Sequence, residues 1–177
     1  MANFVYIATS LDGFIATSDG GVDWLMEVPN PDHSDFGFAD FFKRVDGVLM
    51  GTNSFKKVLS FGSWLYTKPV FVLSNSLKEI PSELEGKASF VRGSLTDVTQ
   101  ALASQGIQNL YIDGGKLIQS FLREDLIDEM IITKVPKLLG EGIPLFGNLD
   151  QMMDFTHVET ETIHNCLVKS RYLRKRD

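Results

Sequence analysis

Three short stretches of this chain place small and polar residues where backbone amides could receive an anion. Gly51-Thr52-Asn53-Ser54 follows the apolar run Gly47 to Met50. Ser74-Asn75-Ser76 follows Val70 to Leu73, and Asp113-Gly114-Gly115-Lys116 follows Leu110 to Ile112. The first and third then run directly into helical patterns. A helix N-terminus presents free N–H groups and roughly half a positive charge, which suits phosphate. Glycine lets an anion approach the backbone because no Cβ intervenes. Thr52, Asn53, Ser54, Ser74 and Asn75 add neutral donors, and Lys116 can place an ammonium nearby. For any single loop a structural explanation competes: a strand-to-helix turn can need glycine for its backbone alone, and Ser or Asn often caps a helix. Three such loops in one small sheet favour an extended ligand with two or more phosphates, such as a dinucleotide. Neither a Walker motif nor the fingerprint of three spaced glycines is present, so an ordinary Rossmann domain is not supported.

The elements that must position these loops can be read from apolar runs rich in Val, Ile and Phe. Phe4 to Ala8, Gly47 to Met50, Val70 to Leu73, Ser89 to Val91, Leu110 to Ile112 and Met130 to Val135 each fit a strand covered on both faces, as in a parallel sheet. Helical spacing lies between them: Phe38, Phe41, Phe42 and Val45; Phe55, Val58 and Leu59; Leu95, Val98 and Leu102 behind a capping box of Ser94 and Asp97; Leu117, Ile118, Phe121 and Leu122. The end of the chain differs. "FTHVETETIHNCLVKSRYL" holds two strand-like runs around Asn165 and predicts an antiparallel hairpin added to one edge. The sum is a single α/β domain over residues 1–177 with a mixed sheet, whose ligands belong beyond the carboxyl ends of the strands.

Composition narrows the function. The 177 residues are 44% hydrophobic and 23% charged, with a formal charge of -6 that argues against a nucleic-acid binder. The basic end "RYLRKRD" reads as a solvated tail. A single cysteine, Cys166, excludes an intrachain disulfide and fits a reducing compartment, where a small buried hydrophobe is its simplest role. The N-terminus lacks a basic region and a long apolar run, so a cytoplasmic protein is expected. His33, His157 and His164 share no metal-ligand spacing with one another or with Cys166, and no metal site is expected.

Five segments in order, "YIATSLDGFIA", "GVLMGTNSF", "VFVLSNS", "LYIDGGKLIQSFL" and "IDEMIITKVPKLLGEGIPLF", resemble the dihydrofolate reductase superfamily. The resemblance spans nearly the whole chain and is closest to the branch containing the reductase domain of riboflavin biosynthesis and its small stand-alone relatives. It implies a dihydrofolate reductase-like mixed, mostly parallel sheet flanked by helices, with NADPH bound across the loops above. Ala8 and Ile15 match positions beside the nicotinamide. Gly51, Thr52, Asn53 and Ser54 match the first phosphate loop, and Leu73, Ser74 and Asn75 the strand end that holds the adenosine. Gly114, Gly115, Lys116, Leu117 and Ile118 match the second phosphate loop, with Asp113 at its start, so the paired glycines are expected to clear space for a pyrophosphate. Where the family commonly has the Arg that meets the 2′-phosphate, this chain has Thr52. Lys56, Lys57 or Arg92 would have to compensate, and NADH stays open beside NADPH. Relatives in this branch often form homodimers, and the edge hairpin offers a surface for pairing.

The substrate side should come from Ser10 to Phe42, whose glycines and small polar residues suit a mobile lid or simply a long surface loop. Trp24 matches a family tryptophan close to the substrate, or else belongs to a core patch with Leu25 and Met26. Reduction needs a hydride from the cofactor and a proton from an acid or water. Asp40 precedes Lys43 and Arg44 at ion-pair spacing. Asp35 shares a helical face with Phe38, Ala39 and Phe42, where its pKa could rise in an apolar pocket; a helix cap is the competing role. Asp12 and Asp23 are further acids that also suit turns. The zinc-deaminase pattern is absent. The expected function is NADPH-dependent hydride transfer to a small heterocycle, a pteridine or a ribosylamino-pyrimidine. The alternative is a non-catalytic nucleotide-binding protein on the same fold.

Overall fold

All six apolar runs form strands, and together they make the parallel part of one sheet. The computed structural model describes residues 1–77 and 79–176. The strands are β1 (Ala2–Thr9), β3 (Gly47–Gly51), β4 (Val70–Leu73), β5 (Ala88–Val91), β6 (Asn109–Asp113) and β7 (Glu129–Lys134). Val48, Leu49 and Met50 in the middle of the sheet are each 0% exposed, which is why β3 shows no polar alternation. The last two strands, β9 (Phe155–Ile163) and β10 (Leu167–Arg174), form the expected hairpin. The eight strands run in the order β5-β4-β3-β6-β1-β7-β10-β9, with β10 antiparallel to both of its neighbours. The hairpin turns at His164 and Asn165, whose φ angles are 51° and 52°. Short β2 (Phe14–Ala16) and β8 (Ile143–Pro144) pair separately.

Helices cover both faces. On one, α4 (Leu95–Ser104) and α5 (Gly115–Arg123) pack Leu102, Ile118 and Phe121 against Val5, Leu49 and Ile112. On the other, α2 (Phe38–Lys43) and α3 (Thr52–Ser60) pack Phe41, Phe42, Phe55 and Val58 against Phe4, Val48, Met50 and Ile131. The one-turn α1 (Asp23–Met26) brings Trp24 onto Val135 and Leu167, with half-buried Cys166 alongside as a small apolar filler.

The basic end is not a solvated tail. Arg171 and Arg174 lie on β10, where Arg171 bonds buried Glu129 at 3.0 Å and Arg174 bonds Asp125 at 2.7 Å. Arg176 bonds Asp128 at 2.6 Å, and Asp177 lies outside the described residues. Glu129 also takes both Arg44 nitrogens at 2.8 Å, so this ion cluster ties the end of α2 to β7 and β10. Charge-run reasoning missed this because the acids that hydrogen-bond these arginines are 40 or more positions away in the chain, and the nearer Glu159 stands 3.6 Å from Arg171. Among the described residues, no helix is long and apolar enough to cross a membrane.

Candidate active site

β1 and β6 pair only from Ala2↔Asn109 to Phe4↔Tyr111, whereas β1 stays paired with β7 as far as Thr9↔Lys134. The central strands therefore part company before their carboxyl ends. From β1 the chain passes to β3 on one side, and from β6 it passes through α5 to β7 on the other. A reversal of this kind is where open α/β sheets place their ligands.

Tyrosines gather at that gap. The Tyr111 hydroxyl donates to the Tyr6 carbonyl at 3.0 Å. Asp113, two residues on and so on the same face, has Oδ1 3.4 Å from the Tyr111 hydroxyl and Oδ2 3.4 Å from the Tyr66 hydroxyl. Asp113 is densely surrounded though not sealed from solvent, and burial pushes its carboxyl above the usual range against the two hydroxyls and the Gly114 amide. The same burial, together with the Asp113 charge, raises the Tyr66 and Tyr111 hydroxyls. Tyr6 is pushed up to about 12 by burial and then by Asp35 and Glu161. Aromatic rings wall the gap: Phe41 stacks on Tyr6 at 4.7 Å and meets Tyr111 edge-on at 5.2 Å, and Trp64 meets Tyr66 at 5.5 Å. The sequence places Asp113 at the start of the second loop, and the tyrosines around it go unread there. The spacing of Tyr111 and Asp113 was a usable signal; Tyr66 sits in an irregular crossover and gave none.

The residues expected to form the two phosphate loops flank this gap. α3 and α5 are nine residues each, and the N-cap side chains take up none of the first amides that every helix start leaves without an intrahelical partner. The two helix starts touch: a Cβ on Gly114 (φ +98°) would run into the Ser54 hydroxyl, and one on Gly115 would lie 2.5 Å from Ile15 Cδ1. The expectation that the paired glycines clear space for a pyrophosphate thus has a steric reason for glycine beside it. The volume a side chain would need is already filled by Ser54 and Ile15, so the requirement is steric, and the anion-binding capacity rests on the amides. Gly51 is different, with no atom within 4 Å of where its Cβ would be.

The remaining expected cofactor residues divide by what they expose. Thr52 and Ser54 are half-buried, and Asn53, Asn75 and Lys116 are exposed. Buried Ser74 accepts from the Ser76 and Leu77 amides at 3.3 and 3.0 Å, which shapes the turn after half-buried Leu73. Leu117 points into the core, and its amide is the third of α5, without an intrahelical partner. Ile118 offers no ligand contact, since its amide donates to the Gly114 carbonyl at 2.9 Å and its side chain is 0% exposed. Arg92 stands at the mouth of β5, bonded to the Leu77 carbonyl at 3.3 Å, beside the strand that carries Ser74.

Trp24 and half-buried Ala8 pack in one cluster. Among the described residues, the buried indole nitrogens of Trp24 and Trp64 have no hydrogen-bond partner. Such a group costs about 1–3 kcal/mol, which a ligand acceptor would relieve.

Asp35 does not face an apolar pocket. It is exposed and accepts from the Gly37 and Ala39 amides at 2.9 and 2.7 Å, which holds its carboxyl below the ordinary range. It caps α2, so the shared face with Phe38 and Phe42 does not make it a proton donor. Asp40 pairs with Lys43 at 2.7 Å on the solvent side, as its spacing predicted. Asp12 is a turn clamp: it accepts from Ser10, Leu139 and Gly140, and these bonds lower its carboxyl to about 2.

The uncapped adjacent helix starts, with open space at Gly51, leave main-chain amides that fit the phosphates of a dinucleotide. The six parallel strands with their antiparallel end pair define a dihydrofolate reductase-like α/β fold. Residues 4–169 match the model of the RibD C-terminal domain, and the chain belongs to that family. It is 38% identical over 148 residues to the uncharacterized protein YwjB of Bacillus subtilis (strain 168), covering 82% of each chain. A solved structure from Shewanella sp. PV-4, described as a candidate riboflavin biosynthesis protein, is 51% identical with a TM-score of 0.96, covering 99% of this chain and 100% of that one. The diaminohydroxyphosphoribosylaminopyrimidine deaminase/5-amino-6-(5-phosphoribosylamino)uracil reductase of Thermotoga maritima shares the fold at 17% identity, with a TM-score of 0.75. That match covers 98% of this chain and 56% of that protein.

Proposed function

We propose that the chain is a pyrimidine-reductase-like enzyme that uses NADPH to reduce a small heterocycle, with a ribosylamino-pyrimidine favoured over a pteridine. The observation that carries this reading is the Asp113 carboxyl, raised by burial, between two tyrosine hydroxyls at the gap flanked by the α3 and α5 starts. The reductase named among the structural neighbours supports the substrate class.

In this reading the amides of Thr52 to Ser54 and of Gly115 to Leu117 hold the cofactor's phosphates, and Ala8, Ile15 and Trp24 line the nicotinamide end. The bound cofactor would supply the hydride. Asp113 would hold a proton and donate it to the ring nitrogen or oxygen that gains electrons, a task for which a raised pKa is suited. The Trp24 indole N–H would take a ring carbonyl, and the aromatic wall of α2 would limit water. Arg92 is the cation best placed for a 2′-phosphate; Lys57 instead lies 5.9 Å over the Phe61 ring.

A second reading, nucleotide binding without turnover, draws on Thr52 in place of the family Arg and on the capping role of Asp35. Incubation of the protein and NADPH with a panel of phosphoribosylamino-pyrimidines and pteridines separates the two. Loss of reduced-nicotinamide absorbance supports the enzyme; cofactor binding with no consumption across the panel supports the second reading. Pairing of two copies along the free edge of β9 belongs to the same proposal, and sedimentation checks it.

A further inference from the structure

Ala8 and Thr9 are neighbours on β1 and point to opposite faces of the sheet. Ala8 belongs to the Trp24 cluster, whereas Thr9 lines a cavity of about 350 Å³ on the other side. Met130, Ile132, Leu145, Phe146 and Phe155 give the cavity an apolar lining. Its volume falls within the range of small-molecule pockets, roughly 300–1,000 Å³. None of its lining residues belongs to the proposed reductase site.

Two observations go beyond an apolar hollow. Thr9 is 1% exposed, and its hydroxyl has no hydrogen-bond partner among the described residues. A buried hydroxyl in that state is unfavourable, and an occupant with a polar atom would correct it. The second observation is charge. Lys134 is the one charged residue among those lining the cavity, and the contact of its ammonium is to the Leu11 carbonyl at 3.3 Å, not to a carboxylate. Among the described residues, no acid lines the cavity to oppose an anion. Ser170 and Tyr172 of β10 add hydroxyls to the lining.

We propose that this cavity is a second small-molecule site for a flat, mostly apolar carboxylate of about two fused rings. The rings lie against Ile132, Leu145 and Phe155, the carboxylate pairs with Lys134, and a polar atom on the ring system bonds the Thr9 hydroxyl. The Leu145 amide donates to the Gly13 carbonyl at 3.0 Å, which joins the cavity wall to the loop that follows β1. The site is independent of whether the strand mouths turn over a substrate.

The probe is 6-hydroxy-2-naphthoate, followed by ligand-observed NMR and calorimetry on the full chain. Its neutral carboxamide and unsubstituted 2-naphthoate serve as comparisons. The acid is expected to bind about tenfold more tightly than the amide, as loss of a charge-assisted contact implies. Lys134→Met should abolish that difference, and Thr9→Val should bring the hydroxylated acid down to 2-naphthoate. Ile132→Trp and, from β10, Ser170→Trp should each block binding while NADPH binding to the same samples is unchanged. Equal binding of acid and amide, or binding that survives both tryptophan variants, overturns the proposal. So does a sedimentation result in which two copies cover this face, exclude the probe and separate in the Ile132→Trp variant.

Discussion

The Tyr66 hydroxyl, carried by the irregular crossover between α3 and β4, reaches Asp113 Oδ2 at 3.4 Å at the carboxyl end of β6. The crossover thus touches the one acid at the strand mouths whose carboxyl is raised by burial. A hydroxyl donated to a carboxylate favours its charged form, so Tyr66 works against the burial. Tyr66→Phe is expected to raise the Asp113 pKa further, read by carboxyl carbon NMR with Asp113→Asn as the assignment control. If Asp113 is the proton donor, the alkaline limb of kcat/KM moves to higher pH in Tyr66→Phe. A fall in rate with no movement of either titration would make Tyr66 a packing residue only.

The same shift has a sign for stability. A carboxyl raised in the folded state contributes stability that is full below its unfolded value, 3.8, and is lost as pH rises through the folded value. Asp113→Asn should therefore remove the decline in stability that lies between the unfolded and the folded value, while abolishing turnover. Urea midpoints measured from acid to neutral pH check it. A parallel offset at every pH would contradict the burial argument.

Gly114→Ala tests the steric reading of the paired glycines. The backbone there has φ +98°, and the new methyl meets the Ser54 hydroxyl. Destabilisation of about 1–3 kcal/mol is expected from the backbone strain together with the clash. Adding Ser54→Gly should recover the part due to the clash. No recovery would mean that the φ angle alone demands glycine.

Arg92→Ala addresses coenzyme choice. Loss of a charge-assisted contact to a 2′-phosphate should weaken NADPH by about tenfold and leave NADH nearly unchanged. Calorimetric titration of both coenzymes gives the ratio. An unchanged ratio removes Arg92 from the 2′-phosphate and leaves Lys56 or Lys57 to be tried.

Much of the fold was legible because each parallel strand is buried on both faces and so appears as an uninterrupted apolar run, as Val48 to Met50 show. The hairpin was legible from its different pattern. The site was only half legible. Glycines and small polar residues mark where strands end, but they do not say whether a neighbouring side chain or a ligand fills the space; for Gly114 and Gly115 it is Ser54 and Ile15. Asp35 misled because a three-residue helical spacing places a side chain on a face without telling whether that face starts before the first turn. There the carboxylate turns back to the Gly37 and Ala39 amides. The Asp113 cluster depends on Tyr66, 47 positions away, and no local spacing carries that contact.

The capping role gives its own expectation. Asp35→Ala should cost about 1 kcal/mol, as cap removal generally does. It should leave coenzyme affinity and the pH profile of turnover unmoved. A shifted profile would return Asp35 to the chemistry.

The central claim is that the starts of α3 and α5 together hold a dinucleotide through main-chain amides. Amide-resolved NMR during NADPH titration tests it most directly. Saturable shifts are expected to concentrate at Thr52 to Ser54 and Gly115 to Leu117, with the Trp24 indole N–H moving in step. Saturation elsewhere on the chain, or no shift at both helix starts at coenzyme concentrations well above the protein, would contradict it.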